Sequence, residues 1–113
     1  MPKRVEDLDV LTQYIRGVLR RAEHHAGAVD AIALTIAGAV LWRKDPEPIE
    51  VFEREGKIRN ALWVQISGQR YALSYNHDAE TIEVRVGSTQ GAVLASFDNS
   101  SSPAEVKKFF AEL

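Results

Sequence analysis

The side chains able to ligate a metal or move a proton fall in two places. His24 and His25 stand side by side with Asp30 close behind, and His77 and Asp78 adjoin within Tyr75-Asn76-His77-Asp78. Adjacent histidines on a helix point about 100° apart, so His24 and His25 cannot close on one ion as an i, i+4 pair does. A cationic His near a helix C-terminus is favoured by the dipole, which explains the pair without a metal. The expectation is no metal and no cofactor. His77 polarised by Asp78 is the better acid–base candidate, because imidazole titrates near neutrality. The same tetrapeptide ends a strand and opens a hairpin, where Asn and Asp make local turn bonds, and no nucleophile or oxyanion donor can be placed beside it. The chain has no Cys, which excludes a thiol nucleophile, and no GxSxG elbow for a serine one. Gly87-Ser88-Thr89-Gln90-Gly91 lacks the Lys and the following helix of a phosphate loop, so it reads as a hairpin loop.

The elements that must position these groups belong to a chain of 113 residues, 45% hydrophobic and 27% charged. That composition and length describe one globular domain over residues 1–113. Fourteen Lys and Arg against sixteen Asp and Glu leave a net charge of −2, with no bulk drive toward nucleic acid or acidic membranes. Arg16, Arg20 and Arg21 suit the end of a helix, so neither they nor Trp42-Arg43-Lys44 indicate a nucleic-acid partner. The N-terminal residues lack the apolar region of a secretory signal. The longest apolar run, Ala26 to Trp42, is interrupted by Asp30 and too short to cross a bilayer. A cytoplasmic protein with no membrane partner is expected.

Between Val5 and Ala22, Leu8, Leu11, Ile15, Val18, Leu19 and Ala22 recur at helical spacing, which predicts a first amphipathic helix. After an Ala26-Gly27 stop, Asp30 serves as an N-cap or first-turn acid of a second helix through about Ala37. Gly38 then separates it from a β-prone stretch, Val40 to Arg43, closed by Asp45-Pro46-Glu47-Pro48. Ile49 to Phe52, before Glu55-Gly56, predicts a further strand. Downstream the period becomes two. A Gly68-Gln69 turn pairs Ile66 with Tyr71, Val64 with Leu73 and Leu62 with Tyr75. A loop over His77 to Glu80 pairs Tyr75 with Ile82 and Leu73 with Val84. A third, Ser88 to Gly91, pairs Val86 with Val93, Val84 with Ala95 and Ile82 with Phe97. Ser102, Pro103 and Glu105 form a capping-box start for a last helix with Val106, Phe109, Phe110 and Leu113 inward. The expected fold class is α+β: an antiparallel β-meander of about five to six strands, with two N-terminal helices and one C-terminal helix packed on one face.

The uncovered face of that sheet carries the candidate site. In this register Trp63, Ser74, Glu83 and Ser96 form one row, and Gln65, Ala72, Arg85 and Leu94 the next. A Trp among small and polar residues marks a contact surface. Trp63, Ser74, Glu83 and Arg85, with His77 and Asp78 at the nearby turn, are therefore the candidate ligand- or partner-binding residues.

Three segments, LWRKDPEPIEVF (Leu41–Phe52), NALWVQISGQRYALSYNHD (Asn60–Asp78) and IEVRVGSTQGAVLASFDNS (Ile82–Ser100), resemble a family of small bacterial proteins carried on integron gene cassettes. The resemblance runs from about Arg16 to Leu113, and Trp63 to His77 is its most specific part. It implies a mobile accessory protein that forms a homo-oligomer, and it brings no catalytic residues. The functional expectation is a non-enzymatic, self-associating binding or regulatory module, a dimer favoured, that engages a small molecule or protein partner. The alternative is a small hydrolase or isomerase using His77 with Asp78 or Glu83.

Overall fold

A computed structural model describes residues 12, 16, 29–54 and 57–113. The expected first helix apart from Thr12 and Arg16, the His24-His25 pair and the expected Glu55-Gly56 turn lie outside the described residues. Thr12 and Arg16 are helical and exposed. The fold is α+β. Helix α1 (Asp30–Arg43) precedes strands β1 (Glu50–Arg54), β2 (Lys57–Ile66), β3 (Gln69–Asn76), β4 (Thr81–Val86) and β5 (Val93–Phe97), and α2 (Pro103–Ala111) follows. The strands form one antiparallel sheet in chain order. Among the described residues no helix is long and apolar enough to cross a membrane.

Both helices cover one sheet face. Leu62, Val64, Ile66, Leu73, Ile82, Val84 and Phe97 meet Ile32, Ile36 and Val40 from α1 and Val106 and Phe110 from α2 in one buried cluster. Alternation at period two, as read from the sequence, puts these strand residues on the covered side.

Helix α1 corrects the expectation of a stop near Ala37 and a strand at Val40 to Arg43. Val29, Ile32, Ala33, Ile36, Ala37 and Val40 make one continuous buried stripe. Burying Val40 contributes about 1.5–3 kcal/mol, which exceeds the roughly 1 kcal/mol that a helical Gly38 costs relative to Ala. The stretch stays helical through Arg43, and the sheet among the described residues has five strands, at the lower end of the expected five to six. The start of α1 is capped across the fold: the Asn99 Oδ1 accepts from the Ala31 and Ile32 N–H groups, both at 3.1 Å. Asp30 is a first-turn acid, and its carboxylate accepts from Asn99 Nδ2 at 2.8 Å. Ser102 caps α2 as its sequence predicts, accepting from the Glu105 N–H at 3.1 Å.

Two registers also differ from expectation. Leu62 pairs with Leu73 and Val64 with Tyr71, so the turn is Ser67-Gly68, two residues from the expected pairing. Ser67 and Gly68 have φ of +53° and +80°, the left-handed pair of a type I′ hairpin. A serine at positive φ is strained, and Asp45 supplies the compensation. Its carboxylate accepts from the Ser67 N–H at 3.0 Å and the Gly68 N–H at 2.8 Å, while its own N–H donates to Gln65 O at 2.7 Å. The β3–β4 pairing, Tyr75 with Ile82 and Leu73 with Val84, is the one read from the sequence. In β4–β5, Ile82 pairs with Phe97 and Val84 with Ala95, but an irregularity after Val84 sets Val93 opposite Arg85 instead of Val86. Gly91 permits that tight return, because a Cβ there would overlap the Val86 carbonyl oxygen.

Candidate functional site

The outer sheet face is built from the alternate residues that the core leaves over. Glu50, Trp63, Ala72, Arg85 and Val93 lie in one row across it, and Ala61, Ser74, Glu83 and Ser96 in the next. The two-residue shift at the Asp45-held turn thus moves Trp63 away from Ser74 and into the row of Arg85. Ala72 stands between Trp63 and Arg85 and has no exposed surface. Trp63 is half-buried rather than free-standing.

Arg70, at the start of β3, reaches back over Trp63. Its guanidinium carbon lies 5.5 Å from the indole centroid, and Nη2 is 3.6 Å from Glu50 Oε1. The cation–π contact contributes about 0.5–1 kcal/mol at such an exposed position, and the exposed ion pair adds little. Beside them opens a groove of about 300 Å³ walled by Glu47, Pro48, Glu50, Trp63, Gln65 and Arg70. Asp45 places that wall, because it ties the α1–β1 connection to the β2–β3 turn two residues before Glu47. Sequence reasoning missed Arg70, Glu50 and Glu47. Alternation does put Arg70 on the face of Ala72 and Ser74; its approach to Trp63 depends on the turn register.

The other half of the face is cross-braced. Arg85 Nη2 donates to Glu83 Oε1 at 2.9 Å and Nη1 to the Gly91 carbonyl at 2.8 Å. Asn76 Nδ2 donates to Glu83 Oε2 at 3.3 Å. The Glu83 and Arg85 side chains retain only 13% and 24% of their exposure, so the brace is largely shielded and fixes the β4–β5 loop against the sheet. Ser74 lies in the same row as Glu83 and is half-buried.

His77 and Asp78 sit at the exposed β3–β4 turn, at one end of this face. Asn76 Oδ1 accepts from the Asp78 and Ala79 N–H groups at 2.9 and 3.0 Å, the local chemistry expected of Asn in a turn. The His77 ring meets Tyr75 edge-on, centroids 4.7 Å apart. Burial pushes the Tyr75 phenol above its ordinary value, and the nearby Glu80 charge adds to the rise. Glu83 is engaged by Asn76 and Arg85 rather than by His77. The structure therefore gathers Trp63, Ser74, Glu83 and Arg85 on one surface and leaves His77 and Asp78 at its edge. Among the described residues no three His, Asp or Glu side chains converge as a metal site.

A five-stranded antiparallel meander with helices on one side and an aromatic and charged outer face defines a small α+β protein. The chain belongs to the family described as integron cassette protein VCH_CASS1 chain, whose model matches residues 11–107. A comparison with curated proteins finds no match.

Proposed function

We propose that this integron-cassette protein is a non-enzymatic binding module that takes a small molecule on its outer sheet face, in the groove beside Trp63. The observation that carries this reading is the groove itself, which at about 300 Å³ reaches the lower end of small-molecule sites. One wall is a rigid aromatic ring, and charged groups of both signs, Glu50 and Arg70, converge at its mouth. A flat ligand lying on the indole gains stacking area, and Gln65, Arg70 and Glu50 supply the polar contacts that orient it.

The test is a fragment titration followed by amide and indole NMR signals. Shifts clustered at Trp63, Gln65 and Arg70, and abolished by Trp63→Ala, are expected. Shifts clustered at His77, Asp78 and Glu83 instead would overturn the groove assignment and place the chemistry at the β3–β4 turn.

A further inference from the structure

We infer that the groove beside Trp63 takes a planar organic cation, of the amidinium, guanidinium or aromatic ammonium class, and that Arg70 is the built-in competitor which this cation displaces. The inference rests on the groove being the binding site. It adds the sign of the ligand's charge. Of the three polar residues counted above as orienting contacts, it makes Arg70 the one that gives way.

The register fixes what meets at the indole. Glu50 stands directly opposite Trp63 on β1, and Arg70 stands opposite Gln65, the next residue of β2 on the same face. Glu47 lies three residues before Glu50, on the connection that Asp45 ties to the β2–β3 turn. The polar wall therefore carries two carboxylates, one guanidinium and one neutral amide. Among the described residues Glu47 has no ion-pair partner. An anion in the groove is repelled by both carboxylates. A cation is attracted by both, and by the negative face of the ring as well.

The chain itself supplies an example of the group that fits. The Arg70 guanidinium is a planar cation, and it lies 5.5 Å from the indole centroid with Nη2 3.6 Å from Glu50 Oε1. One side chain thus meets both requirements, a ring face below and a carboxylate at the edge. It is loosely held. A charge-assisted N–H···O bond closes to about 2.7–2.9 Å, and the two side chains of this pair stay open to water, Arg70 at 44% and Glu50 at 64%.

Arg85, on the same sheet face, shows the opposite condition, with bonds of 2.9 Å to Glu83 and 2.8 Å to the Gly91 carbonyl. The locked arginine braces the β4–β5 loop. The loose one covers the ring. Arg70 can move into water at the rim without leaving a buried charge unpaired, so the exchange gives up only an exposed contact. Two cations cannot share the ring and its carboxylate, and a bound ligand cation therefore excludes Arg70 from both.

The experiment is an NMR titration of the full chain with three probes of one shape and three charges: benzamidinium, benzamide and benzoate. Benzamidinium should shift the Trp63 indole signal and bind about two- to fivefold more tightly than benzamide, the factor for an exposed cation–π contact, with benzoate weakest. At saturation the Arg70 side-chain signals, moved upfield by the indole ring, should return to the position of a free arginine. Arg70→Gln lies at an exposed position and frees the ring, so it should tighten benzamidinium about three- to sixfold. Three results each overturn the inference while the groove stands as the site. Benzamide or benzoate binds at Trp63 as tightly as benzamidinium, the Arg70 signals stay in place at saturation, or Arg70→Gln leaves benzamidinium binding unchanged or weaker. If none of the three probes shifts Trp63, the groove reading fails and this inference fails with it.

Discussion

Asp45→Ala tests the contact that sets the sheet register and, through it, the groove. The carboxylate accepts two backbone N–H bonds from a left-handed turn. Hydrogen bonds to a charged group contribute about 1.5–3 kcal/mol each when shielded. The Ser67 and Gly68 amides are exposed, and water replaces the lost acceptor. The loss is therefore smaller, about 0.5–1 kcal/mol per bond, or about 1–2 kcal/mol for the variant. An unfolding entropy of about 2.1 cal/mol/K per residue over 113 residues converts this to a fall of about 4–8 °C in Tm. Asp45→Asn keeps one acceptor oxygen and should lose about half as much. Calorimetry gives the midpoint. Amide shifts at Ser67, Gly68 and Trp63 report whether turn and groove move together. A midpoint within about 1 °C of wild type would refute the reasoning, since that change corresponds to under 0.3 kcal/mol on the same scale. The turn would then be held by its backbone alone.

Leu73→Ala, at a position only 2% exposed between α1 and the sheet, should cost about 2–5 kcal/mol in urea unfolding; a cost under 1 kcal/mol would move Leu73 out of the core. Asn99→Ala removes the cap supplied to α1 from the β5–α2 loop and should cost about 1 kcal/mol, with faster hydrogen exchange at Ala31 and Ile32. Exchange unchanged at both would show that the cap is dispensable. The Asp98 carboxyl is held below the ordinary aspartate range by hydrogen bonds from the Ser100 hydroxyl and the Ser100 N–H. Its contribution to stability is therefore present in full above the ordinary value of about 4 and is lost as pH falls through the lower folded value. A carboxyl titration by NMR should show Ser100→Ala raising the Asp98 midpoint; no rise would refute the assignment.

Which strand residues face the helices follows from local pattern alone. Side chains alternate with period two, so the slip of two residues at the Ser67-Gly68 turn changed every partner in that hairpin and no face. For that reason Leu62, Val64, Leu73 and Val84 were legible as core, and Trp63, Ser74, Glu83 and Arg85 as sharing the outer surface. The capping box at Ser102 was equally legible, because donor and acceptor lie three residues apart. Tertiary structure decided what depends on groups distant in the chain. Val40 to Arg43 is helical because the sheet offers Val40 a place to bury, against the local preference of the tetrapeptide. Trp63 lies in the row of Arg85, and Arg70 over its ring, because a carboxylate twenty-two residues before the turn stabilises left-handed geometry at Ser67. Local pattern specifies orientation because it acts through the backbone period. Partner and register are set by long-range contacts whose energies, about 1–2 kcal/mol here, exceed the small differences between competing turns.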